Sequence, residues 1–191
     1  MRSRVFIALI HYPVYNRRGE VIATSITNLD LHDLARVAAT YGIEKYFVVH
    51  PLESQRQLAE EVLHYWKQGF GAQYNPNRRE AFLGVEVVAA LEEAQRRVED
   101  FCGERPYVVA TGARAPWNID YLSLRKEIEE KEGAFLVLFG TGWGLAREIM
   151  ENADLVLKPI EGEARYNHLS VRSAVSIVLD RLLGEKWWLI R

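Results

Sequence analysis

The sequence predicts an α/β fold: a mainly parallel sheet flanked by helices. Two observations carry the prediction. Short apolar runs rich in branched residues alternate with longer stretches whose apolar residues recur at helical spacing, and the alternation spans the whole chain. Gly, Pro or Asn stands where most of these runs stop, as expected at junctions between strands and helices. No internal repeat, low-complexity stretch or linker interrupts the pattern, so residues 1–191 read as one domain.

Residues 5–10 (VFIALI) read as a buried strand, short and apolar. A polar turn region follows at 11–20, with Pro13, Asn16 and Gly19, and 21–26 add a short extended piece. The stretch NLDLHDLARVAATYG reads as a helix. Asp30 serves as N-cap, Asp33 lies in the first turn, Leu31, Leu34, Ala35 and Ala38 share a side, and Gly42 is the stop. Residues 45–50 (KYFVVH) form the next strand, closed by Pro51, and 54–68 form a helix with Leu58, Val62, Leu63 and Trp66 on one side. Residues 69–79 (GFGAQYNPNRR) break the pattern and read as the longest loop. Residues 85–88 fit either a short strand or the first turn of a helix. After that come a charged amphipathic helix at 91–102, a strand at 106–111, a charged helix at 121–131 and a strand at 134–139. A short helix at 145–152, a strand at 154–157 and an apolar-faced helix at 171–183 complete the order. Trp187, Trp188, Leu189 and Ile190 form an apolar tail.

Composition narrows the function. With 49% apolar residues the chain can bury a sizeable core. A formal charge of −2 gives no global attraction to nucleic acid, so any RNA contact must use a local patch. Cys102 is the only cysteine, which excludes an internal disulfide and a multi-cysteine metal site and fits a reducing, cytoplasmic setting. No run approaches the ~20 apolar residues of a membrane span. The apolar start at 5–10 is too short for a signal peptide.

Side-chain motifs are sparse. The histidines (His11, His32, His50, His64 and His168) make no metal-ligand spacing, so no metal is expected, and they read as surface or loop residues. There is no G-x-S-x-G elbow, and Ser170 has no evident base. The run FGTGWGL is neither a P-loop nor a dinucleotide fingerprint. By itself, Gly140, Gly142 and Gly144 need do no more than allow a tight strand-to-helix turn. Arginines in turns offer phosphate contacts: Arg17 and Arg18, Arg78 and Arg79, Arg114 after a strand end, and Arg172 at a helix start. Aromatics beside such loops can stack on unpaired bases.

Three sharp turns lie close together near the C-terminus, each against an apolar run: residues 135–145 (FLVLFGTGWGL), 153–163 (ADLVLKPIEGE) and 166–175 (YNHLSVRSAV). Their order resembles the SPOUT superfamily of S-adenosylmethionine (SAM)-dependent RNA methyltransferases, and within it a bacterial group of short, stand-alone members. The N-terminal helix matches more loosely, through Asp30, Arg36 and Tyr41-Gly42. The resemblance implies a C-terminal trefoil knot whose three segments wrap the methyl donor. It also implies a homodimer with the donor pocket at the subunit contact, for which the last helix and the Trp187–Ile190 tail offer material, and an RNA substrate, tRNA or rRNA. By the same resemblance, Thr111, Gly112, Phe139, Gly140, Thr141, Gly142, Pro159, Gly162, His168, Leu169, Ser170 and Ser173 line the donor pocket. Leu138, Leu157, Ile160 and Leu169 offer adenine an apolar bed.

The chain departs from relatives that methylate ribose. They carry Asn where Asp30 stands, an acidic residue in the Gly motif where Thr141 and Gly142 stand, and Ser-Leu-Asn where His168-Leu169-Ser170 stands. The expectation is therefore methylation of a base nitrogen rather than a ribose 2′-O. Asp30 or His168 would take the proton, Arg172 or Arg17 would hold a phosphate, and Arg36 either shares the chemistry or anchors its helix by an ion pair. The RNA surface is expected from Arg17, Arg18, Arg78, Arg79 and Arg114. Two other readings stay open: a non-catalytic nucleotide- or SAM-binding module of the same fold, and an unknotted flavodoxin-like domain holding a phosphate at Gly140–Gly144.

Overall fold

A computed structural model describes residues 3–164 and 166–186. In chain order its elements are β1 (Arg4–Ile10), a hairpin of β2 (Val14–Tyr15) and β3 (Val21–Ile22), α1 (Asn28–Thr40), β4 (Tyr46–Val49) and α2 (Glu53–Lys67). Next come α3 (Phe70–Tyr74), α4 (Pro76–Leu83), β5 (Val85–Val88), α5 (Leu91–Cys102), β6 (Tyr107–Ala110) and α6 (Tyr121–Glu130). The last are β7 (Ala134–Gly140), α7 (Arg147–Glu151), β8 (Leu155–Val156) and α8 (Val171–Leu183). Six strands form one parallel sheet in the order β5-β4-β1-β7-β6-β8, and the β2–β3 hairpin stands apart from it.

The apolar runs are continuous rather than alternating because both faces of the sheet are covered. In β1, Val5, Ile7 and Leu9 face a core shared with α1, α2, α4, α6 and α8, while Phe6, Ala8 and Ile10 face a second core shared with α5 and α7. β7 divides the same way, with Phe135, Val137 and Phe139 on the first side and Leu136 and Leu138 on the second. β1 lies between β4 and β7, in register from Arg4 opposite Ala134 to Ile10 opposite Gly140. The order of strands therefore reverses beside β1, and the carboxyl ends of β1 and β7 open onto that reversal point.

Several local expectations change. Thr27, not Asp30, caps α1: its hydroxyl oxygen accepts the Asp30 N–H at 3.1 Å, and its O–H donates to Asp30 Oδ2 at 2.6 Å. Asp30 thus sits in the first turn, where the helix dipole favours a carboxylate. Residues 69–79 are not a loop but α3 and the start of α4. Asn75 caps α4 by accepting the Arg78 N–H, and Pro76 occupies the first turn. A Cβ at Gly71 would stand 2.5 Å from the Tyr65 ring and 2.9 Å from that of Trp66, so a larger residue there would have to displace these rings as α3 folds against α2. Residues 85–88 are a strand, and Leu58 of α2 is exposed. The apolar tail from Trp187 lies outside the described residues.

Candidate functional site

The loops after β6, β7 and β8 meet at one end of the sheet. The loop after β7 is shaped by Gly140, Gly142 and Gly144. A Cβ on Gly140 would come within 2.7 Å of the Leu145 nitrogen, and Gly142 and Gly144 hold φ of 58° and 105°. The β2–β3 hairpin pins this loop: the Trp143 N–H donates to the Tyr15 carbonyl at 2.8 Å, and the Tyr15 N–H donates to the Gly144 carbonyl at 2.9 Å. The long connection from β8 to α8 crosses both other loops. The Asn167 amide donates to the Ala113 carbonyl at 3.2 Å, and the His168 ring lies 5.0 Å from the Trp143 ring at an angle of 31°.

Within this cleft the expected donor residues divide by what they expose. Leu138, Phe139 and Leu157 are sealed in the core at 0%, 2% and 1% exposure. They lie where the sheet is covered on both faces, so their side chains offer adenine no surface, unlike the expected bed; the Leu138 carbonyl already accepts the Thr111 N–H and O–H. Pro159 is also buried, whereas Ile160 is half-buried and Gly162, His168 and Leu169 are exposed. Gly112 turns tightly against Ala115. Ser170 caps α8 by accepting the Ser173 N–H, with the two hydroxyls 3.0 Å apart. Gly112, Gly140, Gly142 and Gly162 carry no side chain over their main-chain groups here, which suits a neutral adenosine recognised by shape.

The other candidates fall into three places. Arg172, in the first turn of α8, reaches α1: its Nε lies 3.5 Å from Asp30 Oδ1, and Nη1 donates to Asp33 Oδ2 at 3.2 Å. Arg36 lies further along α1 and, with Asp33, Arg172 and Ser176, lines a groove of about 390 Å³ between α1 and α8. Arg17 and Arg18 project from the hairpin that pins the Gly loop, and Arg114 is exposed on the loop after β6. Arg78 and Arg79 do not share that surface. Arg78 is hydrogen-bonded to His32 Nδ1 and lies 5.4 Å over the Trp66 ring, and Arg79 donates to the Lys67 carbonyl. Helix formation through 76–83 places Arg78 against His32 of α1 and Trp66 of α2 and leaves Arg79 exposed beside Lys67, away from the hairpin and the loop after β6.

Sequence reasoning missed the polar cluster at the ends of β1 and β4. His11 and His50 are buried, at 0% and 1% exposure, not on the surface or in open loops. The Thr141 N–H and O–H reach the Ile10 carbonyl at 3.2 and 3.1 Å. The Thr24 hydroxyl lies 2.5 Å from that of Thr141, His11 Nδ1 lies 3.1 Å from Thr24 Oγ1, and His50 Nε2 donates to the Thr24 carbonyl at 3.0 Å. Burial, reinforced by the neighbouring His50, lowers the His11 pKa to about 4, and burial lowers that of His50 too. His11 Nε2 is buried and meets no hydrogen-bond partner among the described residues. Only the position of His11 and His50 directly after apolar runs hints at this; nothing in the sequence marks Thr24 as their partner. Among the described residues, no three His, Cys, Asp or Glu side chains group to hold a metal.

Comparison with known proteins places this arrangement. Residues 4–184 match the model of a family described as SAM-dependent RNA methyltransferases, and the chain belongs to that family. An uncharacterized protein of Aquifex aeolicus is 42% identical over 185 residues, covering 96% of this chain and 90% of the relative. A tRNA (guanine-N(1)-)-methyltransferase of Oleidesulfovibrio alaskensis is 42% identical over 181 residues, covering 95% of this chain. The chain spans only 42% of that relative's length. Among solved structures, TrmJ from Z. mobilis superposes with a TM-score of 0.60 at 16% identity, over 96% of this chain and 69% of that one. The chain is thus a member of the SAM-dependent RNA methyltransferase family, and it shares its α/β fold with TrmJ.

Proposed function

We propose that this chain transfers the methyl group of SAM to a ring nitrogen of a base in tRNA or rRNA. The observation that carries this is the convergence of the loops after β6, β7 and β8, with His168 against Trp143 and Asn167 on Ala113, in a chain of this family. In this reading residues 1–191 form a single domain, the connection from β8 to α8 is threaded as a trefoil knot, and the donor lies under it. The main chain at Thr111–Gly112 and Gly140–Gly142 and the side chains of Ile160 and Leu169 hold the adenosyl group. Guanine-N1 in the name of the O. alaskensis relative supports a base nitrogen over a ribose oxygen. This chain matches 42% of that relative's length.

Methyl transfer is a displacement at carbon. The ring-nitrogen lone pair forms the new N–C bond, the C–S bond breaks, and S-adenosylhomocysteine departs. A sulfonium is a good leaving group, so alignment supplies much of the rate and a strong base is not required. The proton released by the base passes to His168, exposed at the mouth of the cleft. Asp30 is held by Thr27 and Arg172, which suits it to orienting Arg172 on a phosphate. Arg17, Arg18 and Arg114 hold the RNA backbone. Two copies associate in the cytoplasm through α8 and the α1–α8 groove, which brings Arg36 of each copy toward the other's cleft.

Calorimetric titration with SAM, and transfer of labelled methyl from SAM to total RNA of a strain lacking the gene, test the proposal together. Mass spectrometry of that RNA against the parent's identifies the atom. Donor binding without transfer to any RNA would instead make the chain a sensing module.

A further inference from the structure

Trp143 is out of keeping with its surroundings. The rest of the Gly140–Gly144 loop is glycine and threonine, yet this residue carries the largest side chain available and leaves 54% of it exposed. Its backbone is fixed, because the N–H is committed to the Tyr15 carbonyl and the flanking Gly142 and Gly144 hold positive φ. The loop therefore presents the indole outward from a rigid base. One ring already lies beside it: the His168 imidazole, with its centroid 5.0 Å away and its plane tilted by 31°. Neighbouring loops repeat the chemistry. Trp117 is 48% exposed with the Lys158 ammonium 5.3 Å over its ring, and Arg114 is exposed on the same connection after β6.

We propose that Trp143 is the platform on which the target base of the RNA stacks after turning out of its own stack, with the His168 ring at its edge. This rests on the reading of the protein as an RNA methyltransferase. An atom inside a stacked helix is out of reach of a donor held in a loop cleft, so the base must leave its stack. An unstacked base is recovered on an aromatic face, and stacking tolerates any base because each has a π face. Trp143 sits between Thr141–Gly142, on the proposed donor side, and His168, on the proposed proton-acceptor side, where a reacting base has to lie. Arg114 and Lys158 stand ready for the flanking phosphates. Trp143 acts by positioning; it takes no proton and forms no bond.

The test uses the full chain with Trp143→Ala and Trp143→Phe. In Trp143→Ala, kcat/KM for total RNA should fall about 10- to 100-fold, while SAM affinity stays within about twofold and the thermal midpoint within about 2 °C, because an exposed ring supports little of the fold. Trp143→Phe keeps a π face and should recover most of the loss. Unchanged kcat/KM in Trp143→Ala would overturn the proposal, and so would an equal loss of SAM affinity, which would make the indole part of the donor pocket. If the wild type moves no methyl to any RNA, the functional reading fails, and Trp143 is judged separately by the binding of a single-stranded RNA oligonucleotide. Weaker binding by Trp143→Ala would uphold the platform, and equal binding would end it.

Discussion

The two halves of the sheet finish in opposite ways. At the carboxyl ends of β1 and β4, buried side chains close on one another: His11 on Thr24, Thr24 on Thr141, and His50 on the Thr24 carbonyl. From β7, β6 and β8 the chain leaves the sheet in loops that carry Gly112, Gly140, Gly142, Gly144 and Gly162. In open α/β sheets the ligand crevice is expected where strand order reverses, which here is beside β1. This protein fills the β1 side of that place with its own hairpin and leaves the β7 side to the candidate cleft. The difference is also a warning about perturbed ionisation. A strongly shifted histidine is often a sign of an active site, yet the most shifted histidine here, His11, is walled into a structural network, and the open cleft contains few titratable groups.

The largest effect expected is on the main-chain half. Gly140→Val drives a branched side chain into the Gly144–Leu145 backbone, 2.7 to 3.0 Å from where the Cβ would stand. SAM binding should fall at least about 100-fold in calorimetric titration. The thermal midpoint should fall too, because the neighbours met are backbone atoms that cannot swing away, so the variant is not a pure binding probe. Retained SAM affinity would remove this loop from the donor site.

The side-chain half should respond to acid. Folded His11 holds its proton only below about pH 4, against an ordinary value of 6.5. Between those values the unfolded chain binds more protons, so stability is fully present above about pH 6.5 and lost as pH falls toward 4, by about 3 kcal/mol. His50 and His32, lowered in the same direction, add to the slope. Urea unfolding at pH 7 and pH 4.5 should show a clearly smaller pH dependence for His11→Asn, whose amide keeps a donor toward Thr24. An unchanged slope would mean that His11 is not the neutral, buried group described above.

The smallest stability effect is expected where the two halves are bridged from outside. Arg172 is 35% exposed and pairs with Asp30 and Asp33. Partly exposed ion pairs of this kind contribute about 1 kcal/mol or less, so Arg172→Gln should scarcely move the unfolding midpoint. A loss of methyl transfer far beyond that change would give Arg172 a role on RNA, and parallel small losses in both would leave it a helix tie.

Most of the fold was legible because each strand is a short branched run buried on both faces, so periodicity and punctuation mark it directly. α5 and α8 fall on the bounds expected from apolar spacing and a flanking Gly. The segment 69–79 was misread because two glycines and a proline look like a loop, although Asn75-Pro76 is itself a helix-start signal. The capping of α1 shifted from Asp30 to Thr27 because both residue types cap well and only the backbone geometry decides between them. In the site, the converging turns could be read from Gly, Pro and Asn at strand ends. The His11–Thr24–Thr141 network could not, since its members are brought together by the hairpin of β2 and β3, whose pairing leaves little trace in two-residue strands. The displacement of Arg78 onto Trp66 is equally tertiary.

The position of β1 also bears on how the polypeptide is made. It is bordered by β4, translated soon afterwards, and by β7, which the ribosome does not complete until Gly140. Throughout that interval one side of β1 carries unsatisfied amides and carbonyls, a template for stray strands of other nascent chains. The arrival of β7 covers that side and delivers the glycine loop in the same step, so the exposed edge of β1 is shielded only once about three quarters of the chain has been made.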